Sequence, residues 1–164
     1  MVGIGGGVAI SEFFGWLWHW GVEHRGWFGD KIRDAHVHHH YVVYPMERIR
    51  RPEYYISSNS WSWYVLAGLV TAFVLSISYV VGQILGGIAV VVCGALYGRF
   101  IVNNFHEAFH IAGHPLTFSD WFRKLRHYHD LHHLVNGNYG IVSMLIDRVF
   151  GTFVKQVPRS ARQE

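Results

Sequence analysis

From Tyr54 to Gly98 the chain runs for 45 residues without a charged side chain, and this stretch restricts the fold more than any other. An α-helix rises ~1.5 Å per residue, and about 20 residues cross the ~30 Å hydrocarbon core of a bilayer. The run is therefore too long for one span and the right length for two. The Gly-rich stretch 82–87 (GQILGG) offers a turn between them. The pattern predicts a tight transmembrane hairpin over about 61–102, with arms Trp61–Val81 and Ile84–Val102. Trp61, Trp63 and Tyr64 stand at its entrance, where interfacial aromatics gather. Composition agrees: 51% of residues are hydrophobic and only 15% charged, against roughly 25% charged in soluble domains.

The flanks of the hairpin set its orientation. Arg48, Arg50 and Arg51 precede it, Arg99, Arg123, Lys124 and Arg126 follow it, and the connecting turn has no charge. Both flanks are then expected on the cytoplasmic side, of a bacterial inner membrane or of the endoplasmic reticulum. The formal charge of +3 is too small to argue for nucleic acid, and basic residues beside apolar stretches suit anionic headgroups better. The single cysteine, Cys93, forms no intrachain disulfide and excludes thiolate metal sites. Residues 1–20 are apolar and Gly-rich but interrupted by Glu12, which leaves a third span, a remnant of one or a re-entrant segment open. The absence of a basic leading segment argues against a signal peptide. Residues from Phe118 onward read as amphipathic cytoplasmic helices. The expected architecture is all-α, one domain over 1–164: an integral membrane helical protein whose hairpin carries a cytoplasmic histidine-rich helical cap.

Thirteen histidines fall mainly into four clusters, all outside the hairpin. They are HWGVEH (His19, His24), HVHHH (His36, His38, His39, His40), HEAFH (His106, His110) and HYHDLHH (His127, His129, His132, His133). Residues at i, i+3 and i+4 share a helix face. His36, His39 and His40 satisfy this spacing, as do His129, His132 and His133, and His106 and His110 form an i, i+4 pair. His38 and His127 sit about 200° round the helix from the start of each triplet and should point elsewhere. His19 and His24, five apart, are about 140° apart on an α-helix, so both can ligate only where the helix ends or bends. Gly21 offers such a place.

One helical histidine is usually a hydrogen-bonded surface or core residue, but same-face spacing repeated at one membrane face points to metal. Ten imidazoles exceed what one ion takes, since tetrahedral zinc has four ligands and octahedral ions six. Two ions at about five nitrogens each fits the count. Imidazole suits iron, zinc, copper and nickel, and iron is the one that makes O2 chemistry natural here. His38, His114 and His127 are left outside the ligand set. Glu23, Glu107 and Asp130 are candidate acceptors for imidazole N–H groups, with a solvated surface role the simpler reading of Asp130. HEAFH also fits the H-E-x-x-H pattern of zinc peptidases, with Glu107 as base, but that reading leaves the other clusters unused. A non-enzymatic metal carrier would hold ligands inside its spans, and the hairpin holds no histidine, aspartate or glutamate.

The spacings His19/His24, His36/His39/His40, His106/His110 and His129/His132/His133, split by a membrane hairpin, resemble the fatty acid hydroxylase / sterol desaturase superfamily of membrane di-iron enzymes. The segments RKLRHYHDLHH and NYGIVSMLIDRVFGTF, with Asp147 to Thr152 reading D-R-V-F-G-T, resemble that family's closing region, and YPMERIR resembles its fatty acid 2-hydroxylase branch. The resemblance covers about Trp16 to Phe153. Against larger relatives it is expected to lack extra N-terminal spans and a fused cytochrome b5 domain, since His114-Pro115 is not followed by Gly-Gly. Its length is close to that of bacterial carotenoid hydroxylases, whose third motif is spaced more widely than HEAFH.

The resemblance implies two iron ions held by the ten histidines, with zinc as the substitute purified protein can carry. It implies O2 and electrons from a separate donor, a cytochrome b5-like protein or a ferredoxin, and hydroxylation of an unactivated C–H bond in a fatty acyl or related lipid. Carotenoid hydroxylation and sterol or lipid desaturation are the alternatives within the superfamily. An apolar chain is expected to reach the metals from the bilayer along a groove lined by the hairpin and by Trp16, Trp18 and Phe105. Asn138 and Asp147 are expected to set the closing turn.

Overall fold

The hairpin is built as its sequence dictates. In a computed structural model, which describes residues 2–52 and 61–157, α3 (Trp61–Val80) and α4 (Ile84–Tyr97) run antiparallel. Between them Gly82 takes φ +70°, the left-handed conformation glycine adopts without cost. The Gln83 N–H then reaches the Ser78 carbonyl at 2.7 Å and the Gly82 N–H the Tyr79 carbonyl at 3.1 Å, a Schellman closure of α3. Gly87 lets α4 close on α3: a Cβ there would lie 2.1 Å from Ser78 Oγ. Of the aromatics expected at the entrance, Trp63 and Tyr64 are exposed, and the Trp61 side chain lies outside the described residues.

Leu69, Phe73, Tyr79, Leu85 and Val92 project from the hairpin without cover, an apolar surface that water would penalise and lipid accepts. Two helical stretches, Trp63–Val80 and Ile84–Phe109, are long and apolar enough to cross a membrane. The second does not stop at Val102, where the apolar pattern suggested an end. It passes through a π-helical turn (Gly98–Val102) into α5 (Asn103–Phe109). Its 26 residues make ~39 Å of helix, longer than the ~30 Å apolar core.

The N-terminal stretch is a continuous helix, α1 (Val2–Trp18), laid along α4. Small residues permit the contact: a Cβ on Gly7 would lie 2.7 Å from both Cys93 Cβ and the Gly94 nitrogen. Glu12, which breaks the apolar pattern, accepts the Tyr97 hydroxyl at 2.8 Å.

The remaining elements form the cap: α2 (Asp30–His38), α6 (Asp120–His132) and α7 (Leu145–Val149). Asp120 in the first turn of α6 suits the helix dipole there. Apolar α6 positions Phe122, Leu125, Tyr128 and Leu131 recur at helical spacing and bury against Ala108, Phe109 and Met144. This core joins the end of the second span to the cap. The all-α expectation holds among the described residues, whose only extended pairing is an isolated bridge between Arg51 and Ile111. There the Arg51 N–H donates to the His110 carbonyl and the Ala112 N–H to the Arg51 carbonyl, each at 2.8 Å.

Candidate metal centre

The first histidine pair depends on a local change of helix type. Residues His19–His24 leave the α-helical path and form a π-helical turn. A turn closed by i→i+5 bonds sets residue i+5 roughly over residue i, so the pair that an α-helix would separate faces one way. The two rings are 5.1 Å apart. Gly21 is not the bend. It leaves room for the Trp27 ring, which a Cβ would meet at 2.5 Å. The segment ends at Gly26, with φ +69°. A second π-helical turn, His39–Val43, carries the second cluster off the end of α2.

The histidines assemble into two groups. His19, His24, His36, His40 and His132 bring one ring nitrogen each to within 4.8 Å of one another, and so do His39, His106, His110 and His129. His133 sits at the seam, its Nε2 3.2 Å from that of His129 and its ring stacked 4.1 Å from His40. Each same-face triplet is therefore divided. His36 and His40 go to the first group and His39 to the second, while His132 goes to the first and His129 to the second. Helix-face geometry alone does not show this division, because it arises from how the rings of the second cluster meet His132 and His133 at the end of α6.

Inside the first group the Nε2 atoms converge: His36 lies 3.1 Å from His19, 3.1 Å from His24 and 2.9 Å from His40, and His24 lies 3.2 Å from His132. In the second, His129 and His110 are 3.0 Å apart. Outer partners fix which nitrogen turns inward. His19 Nδ1 donates to the Tyr139 carbonyl at 2.7 Å, His132 Nδ1 to Gly137 at 2.8 Å and His110 Nδ1 to Ile49 at 3.1 Å. Each of these rings then presents a bare Nε2 lone pair to the centre. Burial keeps the rings neutral: it lowers His19 and His133 to about 4 and His24 to about 3, and holds His36, His39, His129 and His132 well below the usual imidazole value.

Lone pairs gathered at 3 Å repel unless a cation lies among them. Around an ion bound at ~2.0–2.1 Å, neighbouring ligand nitrogens fall about 2.9–3.4 Å apart, which matches the observed spacings. Neutral, buried nitrogens at ligand-edge distances, three of them on rings fixed by an outer carbonyl, fit divalent metal at both groups.

The three carboxylates take different places. Glu23 is buried, with its Oε2 3.7 Å from His36 Nδ1, and burial pushes its carboxyl up to about 8. Glu107 is buried on α5, with the Asn103 amide 3.4 Å from its Oε1. Asp130 pairs with Arg50, which ties the segment after the second cluster to α6. Of the histidines set aside, His38 and His127 are exposed, and His114 caps a short turn by accepting the Leu116 N–H.

The fully buried Asp147 organises the closing turn. It accepts from the Tyr139 and Gly140 N–H groups at 2.9 and 2.8 Å, from the Thr152 hydroxyl at 2.6 Å and from Trp16 Nε1 at 3.1 Å. Asn138, in the left-handed region with φ 56°, bonds through its side chain to Tyr128 and Val154. Trp16, expected along a substrate groove, is instead buried in this network, and Phe105 packs on Trp121 and Phe122. Sequence reasoning missed Tyr139, Gly137 and Ile49, because they act through carbonyl oxygens and carry no side-chain signature. It missed Tyr44, whose ring stacks 3.8 Å from that of His110, for want of any spacing signal.

Fold and site together define a protein that is helical over its described residues, with two stretches long and apolar enough to span a membrane and paired histidine groups able to hold metal at the end of one of them. Comparison with known families gives a match to the Fatty acid hydroxylase model over residues 4–152, and the chain belongs to that family. No curated protein and no solved structure matches it.

Proposed function

We propose that this protein is an O2-dependent di-iron hydroxylase acting on C–H bonds of a fatty acyl or related lipid, with its metal site on the cytoplasmic face of the membrane. The observation that carries this reading is the convergence of neutral imidazole nitrogens on two adjacent centres at the end of a helix long and apolar enough to span a membrane. His19, His24, His36, His40 and His132 hold one ion. His39, His106, His110 and His129 hold the other, with His133 completing the second set. Bound iron supplies the oxidising chemistry, with O2 as oxidant and electrons from a separate cytochrome b5-like or ferredoxin donor.

The chain's own part is to bind, orient and keep dry. The Tyr139, Gly137 and Ile49 carbonyls hold three rings in the tautomer that ligates. Glu23 lies against His36, where its carboxylate balances positive charge brought by an ion. Phe109, Phe122 and Tyr44 seal the second group from water. An H-E-x-x-H peptidase needs three ligands on one ion, whereas His106 and His110 here share their site with His39 and His129.

The test is to express the full chain with iron and an electron donor and to profile host lipids by mass spectrometry, with His132→Ala as control. Acyl species gaining one oxygen atom only in the unsubstituted protein is the expected result. Loss of two hydrogens would replace hydroxylation with desaturation, and an unchanged lipid profile would overturn the enzyme reading.

A further inference from the structure

Trp121 on α6, Leu145 and Val149 on α7 and Phe150 beside it are large apolar side chains left exposed on the cap. Neither histidine group uses them, and water penalises such a patch. Their height along the helices decides what covers them. α1 and α4 run parallel, with Gly3 against Ala89, Gly7 against Cys93 and Glu12 bonded to Tyr97. Tyr97 stands 13 residues past Ile84, the start of α4, which is ~20 Å of helix. Trp16 lies one turn beyond Glu12, ~6 Å further. Phe150 stacks on Trp16 with ring centres 4.8 Å apart and meets Phe13 at 6.2 Å. With the hairpin upright and its turn at the far edge of the hydrocarbon, Phe150 is then about 26 Å up, inside the ~30 Å apolar core. Trp121 packs 5.5 Å from Phe105, which is 21 residues and ~31 Å past Ile84, the level of the headgroups. Tilting the hairpin only lowers both levels.

Two further observations agree with that height. The patch continues the surface of the hairpin: Phe14 packs on the exposed Phe73 of α3, Phe13 on Phe14, and Phe150 on Phe13. It also has a basic border. Lys124 follows Trp121 by three residues on one face of α6, Arg148 lies in α7, and both are exposed. A cavity of about 360 Å³ includes both cations in its lining, together with Trp121, Tyr128, Met144 and Leu145. Rings at headgroup level with cations beside them are what an interfacial element presents to anionic lipid.

We infer that α7 and the first turns of α6 form a platform lying in the membrane interface, with Leu145, Val149 and Phe150 among acyl chains and Lys124 and Arg148 on the phosphate of an anionic phospholipid. This phospholipid belongs to the surrounding bilayer and is not the substrate, so the inference stands apart from the oxygenase reading. The platform adjoins the metal site through Asp147 of α7, which accepts the Tyr139 N–H, while the Tyr139 carbonyl holds His19.

The test is spin labelling of the full chain in nanodiscs of phosphatidylglycerol and phosphatidylcholine, in a Cys93→Ala background. Leu145→Cys and Val149→Cys carry the nitroxide on the platform, Val92→Cys on the exposed side of α4 and Lys31→Cys on that of α2. Oxygen, which concentrates in lipid, should relax the labels at Leu145, Val149 and Val92 more than a water-soluble nickel chelate does, and the order should reverse at Lys31. Relaxation dominated by nickel at Leu145 and Val149 would overturn the platform. Poor access of both relaxants there would overturn it in favour of a second copy, or residues 158–164, as the cover. The headgroup is read locally with a bimane on Leu145→Cys, quenched by doxyl-labelled phosphatidylglycerol or phosphatidylcholine. Phosphatidylglycerol should quench at lower mole fraction, and Lys124→Gln should reduce that preference about fivefold, the share of one interfacial cation. Lys31→Gln should leave it unchanged. An unaltered preference in Lys124→Gln would overturn the headgroup assignment. Neither readout uses metal or activity, so failure of the platform and failure of the oxygenase reading are distinguishable.

Discussion

In the first histidine group two of the five rings have a hydrogen-bonded outer partner, Tyr139 O for His19 and Gly137 O for His132, and the Glu23 carboxyl lies 3.7 Å from His36 Nδ1. In the second group His110 has one, Ile49 O, while His129 Nδ1 is buried with none. The groups also hang on different scaffolds. The first joins the turn after α1 to α2, the turn after it and α6, and the second joins that same turn and α6 to α5, the continuation of the second apolar helix. Ligands whose outer nitrogen is fixed lose less freedom on binding, and such partners alter metal affinity by about 10–100-fold. The first group should therefore hold its ion more tightly, and the closing turn around Asp147 should be what makes it so.

The largest effects come from the ligands themselves. His132→Ala should remove the first ion and His110→Ala the second, and both should abolish activity; metal analysis of each purified variant checks this. If both variants lost the same single ion, the division into groups would fail. Asp147→Asn comes next. It turns an amide toward N–H donors that a carboxylate satisfied, which costs about 2–4 kcal/mol by the penalty for unsatisfied buried groups. A lower thermal midpoint, with the first ion lost before the second, is the expected reading. In the unsubstituted protein a chelator titration should strip the second ion at about 10–100-fold lower chelator concentration than the first; simultaneous loss would erase the contrast.

Gly7→Val places a side chain where Cys93 and Gly94 already stand. It should cost about 1–3 kcal/mol by overpacking. Because α1 leads directly into the turn that bears His19 and His24, both in the first group, occupancy of the first site should fall and that of the second should not. The smallest effect is expected from His38→Gln and His127→Gln, exposed residues whose loss should change stability by no more than about 0.5 kcal/mol and metal content not at all.

Much of this was readable from the chain. The hairpin followed from a charge-free run and its turn from Gly82, because backbone sterics and lipid leave few alternatives. The ligand clusters followed from helical spacing. What spacing could not show was the π-helical turn at His19–His24, which has no side-chain pattern of its own, or the splitting of each triplet between two centres, which depends on how the rings of the second and fourth clusters meet in space. The continuation of the second span into α5 was hidden because the polar residues Asn103 and Asn104 look like an end. The role of Trp16 was misread because an indole in an apolar helix gives no sign that its N–H will find Asp147 in space, 131 residues away.

The most direct measurement is metal stoichiometry by elemental analysis of the full chain purified from iron-supplemented cells, alongside His132→Ala and His110→Ala. Two ions per chain, falling to one in each variant, is the expected result. One ion or none in the unsubstituted protein, with the ten histidines intact, would contradict the two-centre site.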